Sequence, residues 1–555
     1  MYGFKPFIKY SVNGCVYESE KTENEHYSLD FVEDENRIKC VLHPKTPMEL
    51  AEFYAYANKK QDKNEKFFSN GYQSWTTCYE LAPDDKMTDV IPLAKISDFT
   101  SHLAMMSGDY KFTKYGVKGL FHSFTYTYFR KGEELEFFGS VSEKTGYTIF
   151  YQDCVSGTFK ITKDVEGVTA KEDYQLLDVV FFKGGYDEVF DSYFGGMNLR
   201  KPKTQGLSGY TSWYNYFQNI DENIILRDLN GLDRAKDETS IFQIDDGYEN
   251  FVGDWLTCHP KKFPNGMKPI AKAIHDKGYL AGIWIAPFSV QRVSAVAKEH
   301  PDWLLKDKKG RPILGCVAWG GAYTLDFYNP EVREHIKHFF DVILNDWNFD
   351  MVKLDFLYSE AMEPRNGKSR GQIMCEAMEF LRECVGEEKL ILGCGVPLGP
   401  SFGVVDACRI SCDVDLKYSG KFYNKLHVNL EIPSAQNAIN NSVLRRHLNG
   451  RVFCNDPDVF FLRDSNLKFT FEQKLLLGKI NNLFGNILFV SDNAGDYGEK
   501  ETELLKKFFK KTDAQIHSAE YVTPDDIHIR FTEDGKIKNL RFNIKTGKSN
   551  VKNIL

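Results

Sequence analysis

Met351-Val-Lys-Leu-Asp355-Phe-Leu-Tyr358 is the stretch whose reading decides the fold. Its apolar start is short and bounded by polar residues, as in a strand buried on both faces. Alternation along a strand puts Lys353 and Asp355 on one side. Just upstream, Pro330–Trp347 reads as a helix, because Val332, Ile336, Phe339, Phe340 and Ile343 share a face. Pro330 followed by Glu331 suits its first turn. Just downstream, Gly371–Cys384 repeats the pattern with Ile373, Ala377, Phe380, Leu381 and Cys384. Helix, buried strand and helix in succession predict parallel βα units.

Working outward, seven more segments fit that unit. The eight candidate strands are Tyr210–Phe217, Ser240–Tyr248, Tyr279–Phe288, Met351–Tyr358, Leu390–Pro397, Ala407–Val414, Arg451–Asp456 and Asn486–Val490. Eight units over roughly 290 residues predict a (β/α)8 TIM barrel, a fold of about 250 residues before insertions. The connection from Ser289 to Asp350 is long and predicts an inserted loop at the rim of the barrel. Residues 1–185 are β-rich, with short alternating runs between turns, and predict a β-sandwich. The run Lys201-Pro-Lys-Thr-Gln-Gly marks a boundary. The expected division is therefore sandwich 1–185, barrel 200–495 and a small C-terminal β-domain 500–555, whose Glu501–Thr512 helix precedes strand-like runs from Asp526 and Ile537.

Composition limits the function classes. Of 555 residues, 42% are hydrophobic and 27% charged, with a net charge of -8, as in a globular protein without a basic stripe for nucleic acid or anionic membranes. No run approaches the roughly 20 apolar residues of a membrane span. The start lacks the apolar core of a signal peptide, and the 12 cysteines are scattered, so reduced thiols in a cytoplasmic protein are expected. No oligomeric state is implied.

Barrel chemistry sits at the C-terminal strand ends. Five of the eight ends carry acid: Asp245-Asp246, Asp355, Asp413 with Asp415, Asp456 with Asp458, and Asp492. Lys353 and Arg409 stand beside two of them. Retaining glycoside hydrolysis needs two carboxyl groups about 5–5.5 Å apart, one ionised and one protonated. Lys353 would favour the ionised form of Asp355. The adjacent Asp245 and Asp246 suit neighbouring sugar hydroxyls, and Trp213, Trp284 and Trp319 offer flat faces for a pyranose, although packing at the rim explains such rings equally. A Mg²⁺ or Mn²⁺ site is the competing chemistry. Asn455-Asp456-Pro-Asp458 resembles the start of a calcium loop but lacks its glycine and terminal Glu, and His259, His275 and His447 are not spaced as ligands. No metal and no cofactor are expected. Cys394 has no His partner in sequence and reads as a pocket wall.

These motifs together resemble the family 36 α-galactosidases, in the clan shared with family 27. Gly71-Tyr-Gln-Ser-Trp75, Ser212-Trp-Tyr, Gln243-Ile-Asp-Asp-Gly-Tyr248, Gly282-Ile-Trp-Ile-Ala-Pro-Phe288, Lys353-Leu-Asp355, Gly393-Cys-Gly-Val-Pro-Leu398 and Arg409-Ile-Ser-Cys-Asp413 follow in that family's order. The resemblance implies a retaining exo-α-galactosidase acting on α-galactosyl oligosaccharides, with Asp355 as nucleophile and Asp413 as acid/base. It implies that Asp245 and Asp246 bind the 4- and 6-hydroxyls, that Trp284, Lys353, Cys394 and Arg409 line the pocket, and that Trp75 reaches in from the N-terminal domain. Trp213 and the small Gly395 complete the expected site. Leu354 and the Cys412–Lys417 segment depart from the family pattern, and Asp415 competes with Asp413 as the acid. Alternatives are an α-N-acetylgalactosaminidase, a raffinose-type galactosyl transferase, a non-catalytic sugar-binding protein and a metal-dependent barrel lyase or isomerase.

Overall fold

The computed structural model describes residues 2–87, 114–419 and 433–555. Residues 88–113, part of the predicted β-rich region, lie outside it. The chain forms two units. The first comprises Met1–Arg200, Tyr358–Phe380 and Val396–Val404, and the second Lys201–Leu357, Leu381–Gly395 and Val405–Leu555.

The first unit is a sandwich of two antiparallel sheets. One includes Lys5–Val12, Met48–Asn58, Thr158–Lys163 and Thr148–Asp153; the other includes Arg37–Pro44, Tyr174–Gly185, Glu134–Ser140 and Tyr126–Lys131. Alternate residues of Lys5–Val12 are buried, as one wet and one dry face require. The interior is aromatic. Phe159 meets Phe138 at 4.7 Å and Phe129 at 5.5 Å between ring centroids, and Phe67 meets Phe121 at 5.9 Å. Phe159 is fully buried, so Phe159→Ala costs about 3–5 kcal/mol. The Gly71–Trp75 segment also belongs to this unit. Ser74 donates its N–H to Val396 O at 2.9 Å, and Trp75 packs edge-on to Tyr358 at 5.8 Å.

The second unit is the parallel barrel. Its strands are Leu207–Thr211, Ile241–Ile244, Leu280–Ile285, Met351–Leu354, Leu390–Gly393, Ala407–Arg409, a seventh in two pieces (Cys454–Asp456 and Val459–Phe460), and Ile487–Val490. The first seven follow in order from the first strand to Cys454–Asp456, while the first also pairs with the eighth. The seventh closes the ring: Cys454–Asp456 pairs with strand six and Val459–Phe460 with strand eight. The break falls at Pro457, which has no N–H to donate, and at Asp458, whose φ is 74°.

Strands one to six stop short of their predicted C-terminal ends, because the polar end residues turn into loops that bind side chains, whereas the seventh and eighth reach Asp456 and Val490 as predicted. The first shows the largest difference. It ends at Thr211, and Trp213–Tyr216 is a helical turn rather than strand. The expected insertion between Ser289 and Asp350 is a small antiparallel sheet of Ser289–Gln291, Ala322–Thr324 and Leu314–Cys316. The helix Pro330–Asp341 follows, capped by Asn329, whose side chain accepts from Glu331 N. Gln515–Tyr521, Asp526–Glu533 and Lys536–Asn543 form the C-terminal antiparallel sheet. Among the described residues, no helix is long and apolar enough to cross a membrane.

Candidate active site

Strand four delivers the central carboxylate. Asp355 is the first residue beyond Met351–Leu354, and its N–H still donates to Ile285 O of strand three at 2.9 Å. Phe356 then takes a φ of 54°, an unusual left-handed conformation for an aromatic residue. That turn aims the Phe356 N–H at Asp355 Oδ1 (2.8 Å), while Trp284 Nε1–H donates to Oδ2 at 3.1 Å. The Cys394 thiol is a further hydrogen-bond partner. Asp355 is only 8% exposed. Burial raises its pKa above the ordinary carboxylate value; Lys353, Trp284 and Cys394 pull it down, and Asp413 adds to the rise.

Lys353 acts on Asp355 in the direction its spacing predicts, lowering the carboxyl pKa, but its direct contact lies elsewhere. Its Nζ binds Asp245 Oδ2 at 2.9 Å, so its ion pair is with strand two rather than with its neighbour. Both side chains are buried. Burial opposes the charge on Lys353, but Asp245 more than restores it and its pKa is raised. Lys353 therefore acts on Asp355 through space. Asp245 also accepts from Gln243 Nε2 (2.8 Å), Thr211 Oγ1 (3.3 Å) and the Asp246 N–H (3.0 Å).

Asp246 uses different partners, as the bend after strand two allows. It accepts from Gln218 Nε2 at 3.1 and 3.0 Å and from Trp319 Nε1 at 2.8 Å. Gly247 makes this possible. Its φ is 124°, and a Cβ there would lie 2.8 Å from Gln218 Cα. Trp319, one of the three candidate rings, reaches the cluster. It sits in the turn between the Leu314–Cys316 and Ala322–Thr324 strands at φ 56°, against Trp284 (5.9 Å) and Phe356 (5.0 Å). Its residue type was the only signal in sequence. Trp213 instead packs on Phe217 at 5.3 Å.

Strands six and seven build the facing group around Arg409. Its guanidinium binds Asp413 Oδ1 (2.8 Å), Asp456 Oδ2 (3.2 Å) and Asp458 Oδ1 (3.0 Å). Asp458 also accepts from Val414 N (2.7 Å) and from the Tyr214 hydroxyl. Asp413 keeps 42% of its side chain exposed, whereas Asp456 and Asp458 are fully buried. Asp415 turns back to its own chain and accepts from Leu416 N at 2.7 Å. Cys394 links the groups: burial raises its thiol pKa, and the charges of Asp355, Arg409, Lys353 and Asp413 all act on it. Gly395 follows at φ 56°. Asp492 serves a different purpose, bound to Arg463, to two backbone N–H groups and to the Tyr497 hydroxyl. Trp75 lies in the first unit. Among the described residues no group of three or more His, Cys, Asp or Glu is arranged to hold a metal ion.

The geometry is that of a barrel mouth with a buried carboxylate on strand four and a more exposed one beyond strand six. Residues 222–378 match the Melibiase family model. An α-galactosidase of Lactobacillus acidophilus is 32% identical over 132 residues, 22% of this chain and 17% of that protein. The A type blood α-D-galactosamine galactosaminidase of Flavonifractor plautii is 32% identical over 124 residues, 21% of this chain and 11% of that protein. The matches to the first of these curated relatives span less than a fifth of their length. The α-galactosidase from Thermus thermophilus, solved with p-nitrophenyl α-D-galactopyranoside, shares the fold with a TM-score of 0.71 at 24% identity, over 90% of this chain and 96% of that one. The family 36 α-galactosidase AgaA of Geobacillus stearothermophilus gives a TM-score of 0.61 at 12% identity, over 97% and 81%.

Proposed function

We propose that this chain is a retaining exo-α-galactosidase of the family 36 type, acting on terminal α-linked galactose of oligosaccharides. The observation that carries the reading is the end of strand four. Asp355 is buried, hydrogen-bonded by Trp284 and Cys394, and next to a lysine locked onto Asp245. In the first step a carboxylate oxygen of Asp355 attacks the anomeric carbon, the glycosidic C–O bond breaks, and Asp413 gives its proton to the leaving oxygen. In the second, Asp413 takes a proton from water, which attacks the same carbon and frees Asp355. The exposure of Asp413 suits a group that must meet both the aglycone and water. Asp245 and Asp246 hold the 4- and 6-hydroxyls, and Trp284, Lys353, Cys394, Gly395 and Arg409 complete the pocket. All twelve cysteines are free thiols, which supports a reducing, cytoplasmic location.

The match to the Flavonifractor plautii enzyme favours a second reading, with an amino sugar in the pocket. Hydrolysis of p-nitrophenyl α-galactoside and of the matching α-N-acetylgalactosaminide separates the two. Asp355→Asn should abolish turnover of the preferred substrate. Asp413→Asn should lose roughly 10²–10⁴-fold, with much less loss on a dinitrophenyl leaving group that needs no proton. Normal turnover by Asp355→Asn would sink the proposal.

A further inference from the structure

The mechanism above makes no use of Glu249, although it is a carboxyl group only 5% exposed. Its backbone is set by a short pairing: Glu249 bridges Cys258, Asn250 N–H donates to Thr257 O at 2.9 Å, and His259 N–H donates to Tyr248 O at 2.8 Å. Its side chain accepts from Gly247 N–H at 3.3 Å and lies in hydrogen-bond contact with Asp246. Two carboxyl groups in contact in a buried site cannot both stay ionised, so one proton is shared.

The neighbouring donors decide where that proton rests. Asp246 already accepts from two side-chain donors, the Gln218 amide and the Trp319 indole N–H. Glu249 is met only by backbone N–H groups, its own and that of Gly247 at 3.3 Å. Other titratable groups face the pair. The Tyr248 hydroxyl donates to Trp284 O, and burial pushes the Cys258 thiol up to about 11. Lys262 donates to the carbonyls of Gln218 and Gly247. The proton therefore sits on Glu249.

We propose that Glu249 is a positioning residue that donates a hydrogen bond to Asp246 and, with Gln218 and Trp319, holds that carboxylate ready for the sugar. The proposal rests on the reading of Asp246 as a sugar-binding group. Burial first, and then the Asp246 charge, raise the pKa of Glu249 well above the ordinary value. Loss of the proton in alkali puts two charges in contact and displaces Asp246.

The test compares wild type, Glu249→Gln and Glu249→Leu in the full chain, reading kcat and KM for an aryl α-galactoside from pH 5 to 9. Glutamine keeps a donor, so its KM should stay within about threefold of wild type near pH 6 and lose the alkaline rise. Leucine should raise KM about tenfold or more near pH 6, with no further alkaline rise and kcat little changed, as expected for a lost hydrogen bond to a charged group. A Leu variant with wild-type KM overturns the proposal, as does a Gln variant that keeps the alkaline rise. Melting temperature without sugar supplies an independent readout. A carboxyl with a raised folded pKa stabilises the fold at low pH, and that stability is lost as pH rises. Wild type should therefore fall relative to Glu249→Gln from pH 6 to 9, and parallel curves overturn the proposal. Asp246→Asn is measured alongside. If its KM is also normal, the sugar-binding role of Asp246 fails, and the melting curves still judge the proton.

Discussion

Replacing Lys353 with methionine tests how the barrel mouth is charged. Methionine keeps most of the length and removes the ammonium. The Nζ of Lys353 lies 2.9 Å from Asp245 Oδ2, both side chains being under a tenth exposed. At an effective dielectric constant of 20, that separation gives a gross attraction of about 6 kcal/mol. Desolvation offsets part of it, and removing one partner of a buried pair costs about 3–5 kcal/mol, because the other charge is stranded. Asp245 would keep only Gln243, Thr211 and the Asp246 N–H. The same change removes the largest influence lowering the pKa of Asp355, which burial already raises. Fewer Asp355 groups would then be ionised at a given pH.

Lys353→Met is therefore expected to lower kcat/KM for an aryl α-galactoside by about 10²–10³-fold, the equivalent of roughly 3–4 kcal/mol. The acid limb of its pH profile should move to higher pH, and its melting temperature should drop. The double variant Lys353→Met/Asp245→Asn removes both charges and should recover most of the lost stability, to within about 1 kcal/mol of wild type, without recovering activity. A single variant with kcat/KM within threefold of wild type and an unmoved acid limb would refute the reasoning. So would a double variant less stable than the single one.

Two other substitutions probe separate parts of the molecule. Trp319→Phe keeps a ring but removes the N–H that reaches Asp246 at 2.8 Å; since a hydrogen bond to a charged group is worth about 1.5–3 kcal/mol, KM should rise about tenfold or more with kcat nearly constant. An unchanged KM would make Trp319 a rim packing group. In the first unit, burial pushes the Glu143 carboxyl up to about 7, against the opposing pull of Lys163 and the Thr148 N–H. A raised folded pKa means stability present below pH 4.5 and lost as pH rises towards 7, by roughly 3 kcal/mol at most. Glu143→Gln should flatten that loss in melting curves taken from pH 4 to 8, and a wild type that gains stability relative to the variant over this range would contradict the sign.

Much of the barrel was legible because its signals are local. The run before Asp355, the helical face of Pro330–Trp347 and the acids at strand ends each depend on residues within a turn or two. The polar ends were misread as strand for a related reason: alternation does not reveal where a backbone leaves its ladder to serve a side chain. Trp213 shows this, standing on a helical turn where strand was expected. The contact of Trp319 with Asp246 was not legible because its loop has no period to read, and only the small sheet around it carries its indole to that carboxylate.

The sequence by itself determined which chemical groups stand at the end of each barrel strand, because strand order and period-two alternation are written along the chain. The choice of partners was left to the tertiary structure. Lys353 binds a carboxylate 108 residues away rather than the one two residues on, since parallel strands two to four bring Asp245 within its reach. The ring closes at a broken seventh strand, whose two pieces pair with different neighbours. A proton shared by Asp246 and Glu249 likewise depends on two carboxyl groups meeting away from water. Each of these follows from burial: once side chains leave water, the nearest group of opposite charge or matching hydrogen-bond type decides the pairing, and nearness is a property of the folded chain.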